Sequence, residues 1–256
     1  MQRRRMRPMP DIVRSRFDHG QAMALAATEY QRVVSTLELL SPEDWDRPTE
    51  CPGWTVRDMA GHMLGMAEYA ASIGELVRQT VAASRRARRG RLSQLDAVTA
   101  LQVQEHAGLD AAGLVERYRR VAPRAVRFRS RFAPLVASRV ILGQEFEGTM
   151  ERWTLAYTID TILTRDPFMH RLDIARATGV LLPVTAGHEG VIVADVVAEW
   201  AVRHGRPFEL DLSGPAGGHW DEGTGGERLA MDALDFCRVL SGRGAGTGLL
   251  AVKVPF

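Results

Sequence analysis

The sequence of 256 residues has few features that would cross-link the chain or anchor it in a membrane. Its two cysteines, Cys51 and Cys237, are far apart and in no CxxC spacing. A disulfide framework is therefore not expected, and a reducing cytoplasm fits. No apolar run approaches the roughly 18–20 residues that span a bilayer, and no apolar stretch follows the basic amino terminus as in a secretory signal. We expect a cytoplasmic protein with no membrane partner.

An excess of charge of one sign is also missing. The 33 basic residues nearly balance the 31 acidic ones, and Lys253 is the only lysine. Arginine clusters at 85–91 and 117–131 leave nucleic-acid binding open as one interpretation. The near-neutral total favours the other interpretation, a solvated helix face or linker, so a nucleic-acid partner is not expected.

Several common catalytic motifs are absent: the sequence has no GxSxG, no P-loop and no HExxH. The glycine-rich segment 214–226 does not match GxGxxG in a βαβ unit, so no dinucleotide site is predicted. Cys51 precedes a proline and has no base beside it in sequence, which favours a structural role over a nucleophilic one.

Apolar residues at helical spacing dominate the first 180 positions. A capping box at 55–58 predicts that a long helix begins at about Val56. Pro167 is expected to interrupt the last of these helices. The predicted helices cover residues 11–40, 56–84, 93–106, 111–131 and 149–178.

The pattern changes after about residue 183. We predict two domains, a helical one over 1–182 and a small α/β one over 183–256. The elements predicted in the second are a helix over 187–204, a strand over 207–214, a helix over 227–240 and a closing strand over 248–256.

Two segments carry the residues most suited to a metal site. His62 lies one turn into the helix predicted from Val56. Asp166 and His170 are four residues apart, which makes them neighbours on one helix face and able to share an ion. A ligand from a facing helix would complete three protein ligands and leave a position for water or substrate. Asp173 either orients His170 or lies on the surface beside it.

A competing interpretation exists for Asp166. Asp166-Pro167 is also a helix-start signature, with aspartate as the cap and proline at the first helical position. From the residues alone, cap and ligand are about equally supported.

Three stretches together resemble one family. CPGWTVRDMAGH at 51–62, D-x3-H-x2-D at 166–173 and the ending DFCRVLSGR…LLAVKVPF are similar to the mycothiol-dependent maleylpyruvate isomerase family, part of the DinB-like metal-binding superfamily. The resemblance implies a mainly α fold, a DinB-like four-helix bundle followed by a small α/β domain similar to sterol carrier proteins.

The resemblance also implies a divalent metal site, of the zinc type, from His62, Asp166 and His170. The family pattern has glutamate where this chain has Asp166, and here a proline follows. The side chain of Asp166 is one methylene shorter than that of glutamate, so three outcomes are open. The helix shifts toward the metal, a water lies between the carboxylate and the metal, or the metal is lost.

In function, the resemblance implies an enzyme that uses the thiol mycothiol on a small electrophilic substrate, as an isomerase or an S-transferase. Arg243, or Arg238, would hold a substrate carboxylate, unless it forms only a surface salt bridge. The alternative function is a non-catalytic small-molecule-binding protein with a weakened or lost metal site.

Overall fold

The computed structural model describes residues 12–256. They form a mainly helical fold with a small sheet portion, which confirms the predicted fold class. Within these residues, no helix is both long and apolar enough to cross a membrane.

The chain divides into two compact units. The helical unit consists of Asp18–Ala137 and Ile159–Leu182. The second unit contains Ser138–Thr158, Pro183–Phe256 and the described residues before Asp18.

Seven helices account for most of the helical unit. They are α1 (His19–Glu38), α2 (Val56–Tyr69), α3 (Ile73–Gly90), α4 (Gln94–His106), α5 (Ala111–Arg129), the short α6 (Pro134–Ala137) and α7 (Leu163–Thr178). Helices α1, α5, α2 and α7 contact one another in cyclic order as a four-helix arrangement. Helices α3 and α4 pack against each other and against α2. The core between the helices contains Tyr30, Val33, Met59, Met63, Leu114 and Tyr118, all buried.

The amino-terminal helix is shorter than predicted. Residue 11 lies outside the described part of the chain. Val13 forms a β-bridge with Trp153, and α1 begins only after Asp18. The Asp18 carboxylate accepts from the backbone N–H groups of Gly20 and Gln21, which satisfies two donors at the helix start.

The predicted capping box is present at the start of α2. Thr55 Oγ1 accepts from Asp58 N at 3.2 Å, while Asp58 Oδ2 accepts from Thr55 N at 2.9 Å. The prediction of one helix to residue 84 is wrong, however. The chain turns after Tyr69, and Ser72 caps α3 by accepting from Glu75 N. A second helix with its own cap therefore takes the place of the predicted continuation of α2.

The prediction of a helix over 149–178 is wrong in its first part. Residues Ile141–Phe146 (β1) and Thr149–Thr154 (β2) form an antiparallel hairpin. Tyr157–Ile162 then form a π-helical segment that leads into α7. The predicted interruption at Pro167 is wrong too, because α7 continues through it to Gly179, whose positive φ ends the helix as expected.

The second unit also contains α8 (Glu189–His204), β3 (Phe208–Ser213), β4 (Gly218–Glu222), β5 (Glu227–Asp232) and α9 (Ala233–Leu240). The sheet order is β4-β3-β5, with β3 antiparallel to β4 and parallel to β5. The predicted helix over 227–240 thus begins as a strand. The predicted closing strand is a 3-10 turn, Gly248–Ala251, followed by irregular chain.

Candidate metal centre

His62 lies on α2 with its ring almost fully buried, only 3% exposed. Its Nδ1 is 2.8 Å from Oε1 of Gln102, which comes from α4. When Nδ1 of a neutral imidazole donates a hydrogen bond, Nε2 carries the lone pair. The contact of Nδ1 with Gln102 leaves the other ring nitrogen, Nε2, on the side of α7.

Asp166 and His170 lie one turn apart on α7, with side chains 14% and 12% exposed. The helix begins before Asp166, at Leu163, so the interpretation of Asp166 as the helix cap is wrong. His170 Nδ1 is 3.1 Å from Oδ2 of the fully buried Asp173. Of the two roles expected for Asp173, the structure therefore favours the orientation of His170 over a position on the surface.

A buried arginine explains how the helix continues past Pro167. Proline has no N–H and cannot donate to the carbonyl of Leu163 four residues earlier. Arg129 Nη1 donates to that carbonyl at 3.1 Å. Its Nη2 donates to Ile159 O at 2.5 Å and to Thr164 Oγ1 at 2.9 Å. Arg129 belongs to the arginine cluster interpreted as a solvated face, yet it is 1% exposed, so that interpretation is wrong for this residue.

Three possible metal-ligand atoms lie close together between α2 and α7. Asp166 Oδ1 lies 3.5 Å from His62 Nε2 and 3.5 Å from His170 Nε2. A direct N–H···O bond would be about 2.7–3.2 Å long. In a tetrahedral site with metal–ligand bonds of about 2.0–2.2 Å, ligand atoms are about 3.4 Å apart. The observed spacing fits ligands around one small cation.

The electrostatics of the centre favour an ionised Asp166 beside a positive charge. Burial raises the pKa of Asp166, but its contacts with His170 and His62 outweigh burial and hold that pKa well below the usual range. Burial lowers the pKa of His170, but Asp166 and Asp173 outweigh it and raise that pKa well above the usual range. The ionised Asp166 needs a cation beside it, which a proton on His170 or a metal ion can supply.

Aromatic and sulfur groups border the same place. The Trp54 ring lies 5.1 Å from the His62 ring and 6.3 Å from the His170 ring, measured between centroids. Cys51 Sγ is 3.8 Å from Asp173 Oδ2. Cys51, His170 and Asp173 also form a group of closely spaced potential metal ligands. The sequence interpretation missed this position of Cys51, because residues more than 100 positions away supply its neighbours.

Other histidines in the described part of the chain have partners of their own. His106 contacts Glu68 through Nε2 at 3.1 Å, and exposed His219 contacts Asp211 through Nδ1 at 2.7 Å. Arg243 follows α9 in the second unit, where its backbone N–H donates to Arg238 O. The assignment of Arg243 to a substrate carboxylate stays a prediction.

A family model described as the mycothiol maleylpyruvate isomerase N-terminal domain matches residues 26–175, more than half of the chain and all of the centre. This chain belongs to that family. The family predicted from the three sequence stretches is thereby confirmed.

Two further comparisons found similar proteins. An uncharacterized protein of Mycobacterium tuberculosis, present in two strains, is 26% identical over 252 residues, covering 89% of this chain and 87% of its own. The crystal structure of the mycothiol-dependent maleylpyruvate isomerase superimposes with a TM-score of 0.55 at 15% identity, over 90% of this chain and 91% of that one. The structure of a histidine-to-alanine mutant of that isomerase superimposes with a TM-score of 0.53 at 14% identity. The fold of this chain is therefore similar to that of the isomerase.

Proposed function

We propose that the chain is a metal-dependent enzyme that uses a low-molecular-weight thiol, mycothiol, on a small electrophilic substrate, as an isomerase or an S-transferase. The observation that carries the proposal is the position of Asp166 Oδ1, which lies 3.5 Å from His62 Nε2 and 3.5 Å from His170 Nε2. Two imidazoles and a carboxylate suit zinc, and three protein ligands leave a fourth position for an exogenous ligand.

The residues of the chain have distinct parts in this proposal. The three ligands hold the cation, and Asp173 keeps a proton on Nδ1 of His170, 3.1 Å away. Trp54 lies beside both imidazoles and limits the access of water. A bound divalent cation favours the thiolate form of a thiol, which is the nucleophilic form. The partial exposure of Asp166 and His170 supplies the approach for a thiol.

Arg243 would bind a carboxylate of the substrate, because guanidinium groups pair with carboxylates through two parallel hydrogen bonds. Replacement by lysine keeps the charge but loses the fork. We expect Arg243→Lys to raise KM for a carboxylate substrate more than it lowers kcat, and an unchanged KM would remove Arg243 from the proposal.

Metal content tests the centre directly. We expect the purified protein to bind one equivalent of Zn²⁺ or Co²⁺, and His62→Ala, Asp166→Asn and His170→Ala each to weaken binding by at least about 100-fold. His219→Ala, at an exposed histidine of the second unit, is the matched control and should bind normally. A folded protein that takes up no divalent cation would favour the alternative, a non-catalytic small-molecule-binding protein.

A further inference from the structure

A line of buried amides runs behind His62 and away from Asp166. Gln79 Nε2, on α3, donates to the backbone carbonyl of Gly65 at 3.1 Å. Gln102 Nε2, on α4, donates to Gln79 Oε1 at 2.9 Å. Gln102 Oε1 faces His62 Nδ1 at 2.8 Å. Three helices of the helical unit thus contribute to one chain of hydrogen bonds that ends at a ligand of the proposed metal centre.

The direction of this chain is set at its far end. A backbone carbonyl can only accept, so Gln79 must turn its NH2 group to Gly65 and its oxygen to Gln102. Gln102 must then turn its NH2 group to Gln79 and its oxygen to His62. Glu75 Oε2, 3.4 Å from Gln79 Nε2, is another acceptor on the same side and supports this orientation. His62 Nδ1 is left with one role, that of donor.

The side-chain amides of Gln79 and Gln102 are fully buried, which is unusual for polar groups. Gln79 and Gln102 are both 0% exposed. A buried amide is unfavourable unless its hydrogen bonds are made, and reversing either one would bring oxygen against oxygen or NH2 against N–H. Gly65 accommodates this line, because a Cβ at that position would lie 2.5 Å from Gln102 Cγ. Helix α4 can place Gln102 behind His62 only because α2 has glycine there.

We propose that Gln79 and Gln102 are positioning residues that hold His62 as the Nδ1–H tautomer, and so keep Nε2 as the acceptor that faces the centre. This positioning role rests on the proposed function only in that Nε2 is taken to be a metal ligand. The tautomer itself is a property of the metal-free protein. Gln102 acts on His62 directly, whereas Gln79 acts by orienting Gln102.

The first measurement is ¹⁵N NMR of histidine-labelled, metal-free protein above the histidine titration range. The wild type should show His62 as the Nδ1–H tautomer. Gln102→Met, which keeps the side-chain shape and removes the acceptor, should shift His62 toward a mixture of tautomers. Gln79→Met should give a smaller shift in the same direction. Gln104→Met, an exposed position on the same helix, is the matched control and should leave the spectrum unchanged.

The second measurement is Zn²⁺ affinity by competition with a chromophoric chelator. We expect Gln102→Met to weaken binding about 10- to 100-fold, as loss of an outer hydrogen-bond partner does at other metal sites. Gln102→Glu keeps an oxygen opposite Nδ1, so it should retain the tautomer and most of the affinity even where it lowers stability. Gln102→Glu also remains available as a test variant if Gln102→Met fails to fold.

The outcomes separate the two proposals. A His62 tautomer that is unchanged in folded Gln102→Met, or equal effects of Gln102→Glu and Gln102→Met on affinity, would overturn the positioning role. A tautomer that depends on Gln102 in a protein that binds no Zn²⁺ would uphold the positioning role and overturn the metal proposal.

Discussion

Helices α2 and α7 bring their side chains to one point, but they are supported in different ways. Helix α2 starts at a capping box made by Thr55 and Asp58, which are three positions apart. Helix α7 has no side-chain cap, follows a π-helical segment and contains Pro167. Its irregular backbone depends on Arg129, which reaches it from α5. One helix is specified by its own residues, and the other by a residue 30 or more positions away.

The two kinds of support predict which substitutions should destabilise the metal centre most. A local cap contributes about 1 kcal/mol to a helix that packing also stabilises. Arg129 donates to four buried acceptors, and its loss leaves them without that donor. The ligand-bearing part of α7 should therefore respond more strongly to a distant substitution than α2 does to a change in its own cap.

The largest expected effect is that of Arg129→Met. We expect the free energy of unfolding to fall by about 3 kcal/mol or more, because buried carbonyls lose a charged donor. Urea unfolding followed by circular dichroism measures it. Arg127→Met, at an exposed position of the same helix, should change the stability by less than about 0.5 kcal/mol. Equal effects of the two substitutions would show that the arginine contacts are not needed.

Metal should act more on α7 than on α2, because α7 supplies two of the three proposed ligands. At Zn²⁺ concentrations 100 times Kd, we expect about 2.7 kcal/mol of added stability. Hydrogen exchange should slow more over 163–178 than over 56–69. Asp166→Asn, which removes the ligand charge and keeps the shape, is the control and should abolish both changes. Equal protection of the two helices would contradict the expectation that metal binding stabilises α7 more than α2.

Removal of the α2 cap should have a moderate effect. Thr55→Ala loses the acceptor for Asp58 N, and we expect a decrease of about 1 kcal/mol in unfolding free energy. Thr80→Ala, at an exposed position inside α3, should be neutral or slightly stabilising, since alanine is the better helix former. A decrease for Thr55→Ala as large as that for Arg129→Met would reverse the proposed order.

The smallest expected effect is a coupling between Pro167 and Arg129. Pro167→Ala restores a backbone N–H opposite the Leu163 carbonyl, so it should offset part of the damage in Arg129→Met. A double-mutant cycle should give a coupling of about 0.5–1 kcal/mol. Additive effects would mean that Arg129 does not replace the donor that proline lacks.

Sequence reasoning succeeded where the signal was local. The capping box at Thr55, the helical class and the i, i+4 pair Asp166 and His170 all depend on residues within a turn of one another. It failed where a second local signal or a distant partner intervened. A new helix capped by Ser72 replaces the predicted continuation of α2 to residue 84, and strand pairing overrides helical spacing over 149–154 and 227–232.

The family, the mainly helical fold and the candidates His62, Asp166 and His170 follow from the residues alone. The convergence of these three side chains, the burial of Arg129 and the contact of Gln102 with His62 depend on how the helices pack. The two groups of features differ in the range of the interactions that produce them. Caps and helix faces are set by hydrogen bonds across a few residues, whereas convergence requires the packing of helices that are distant in sequence.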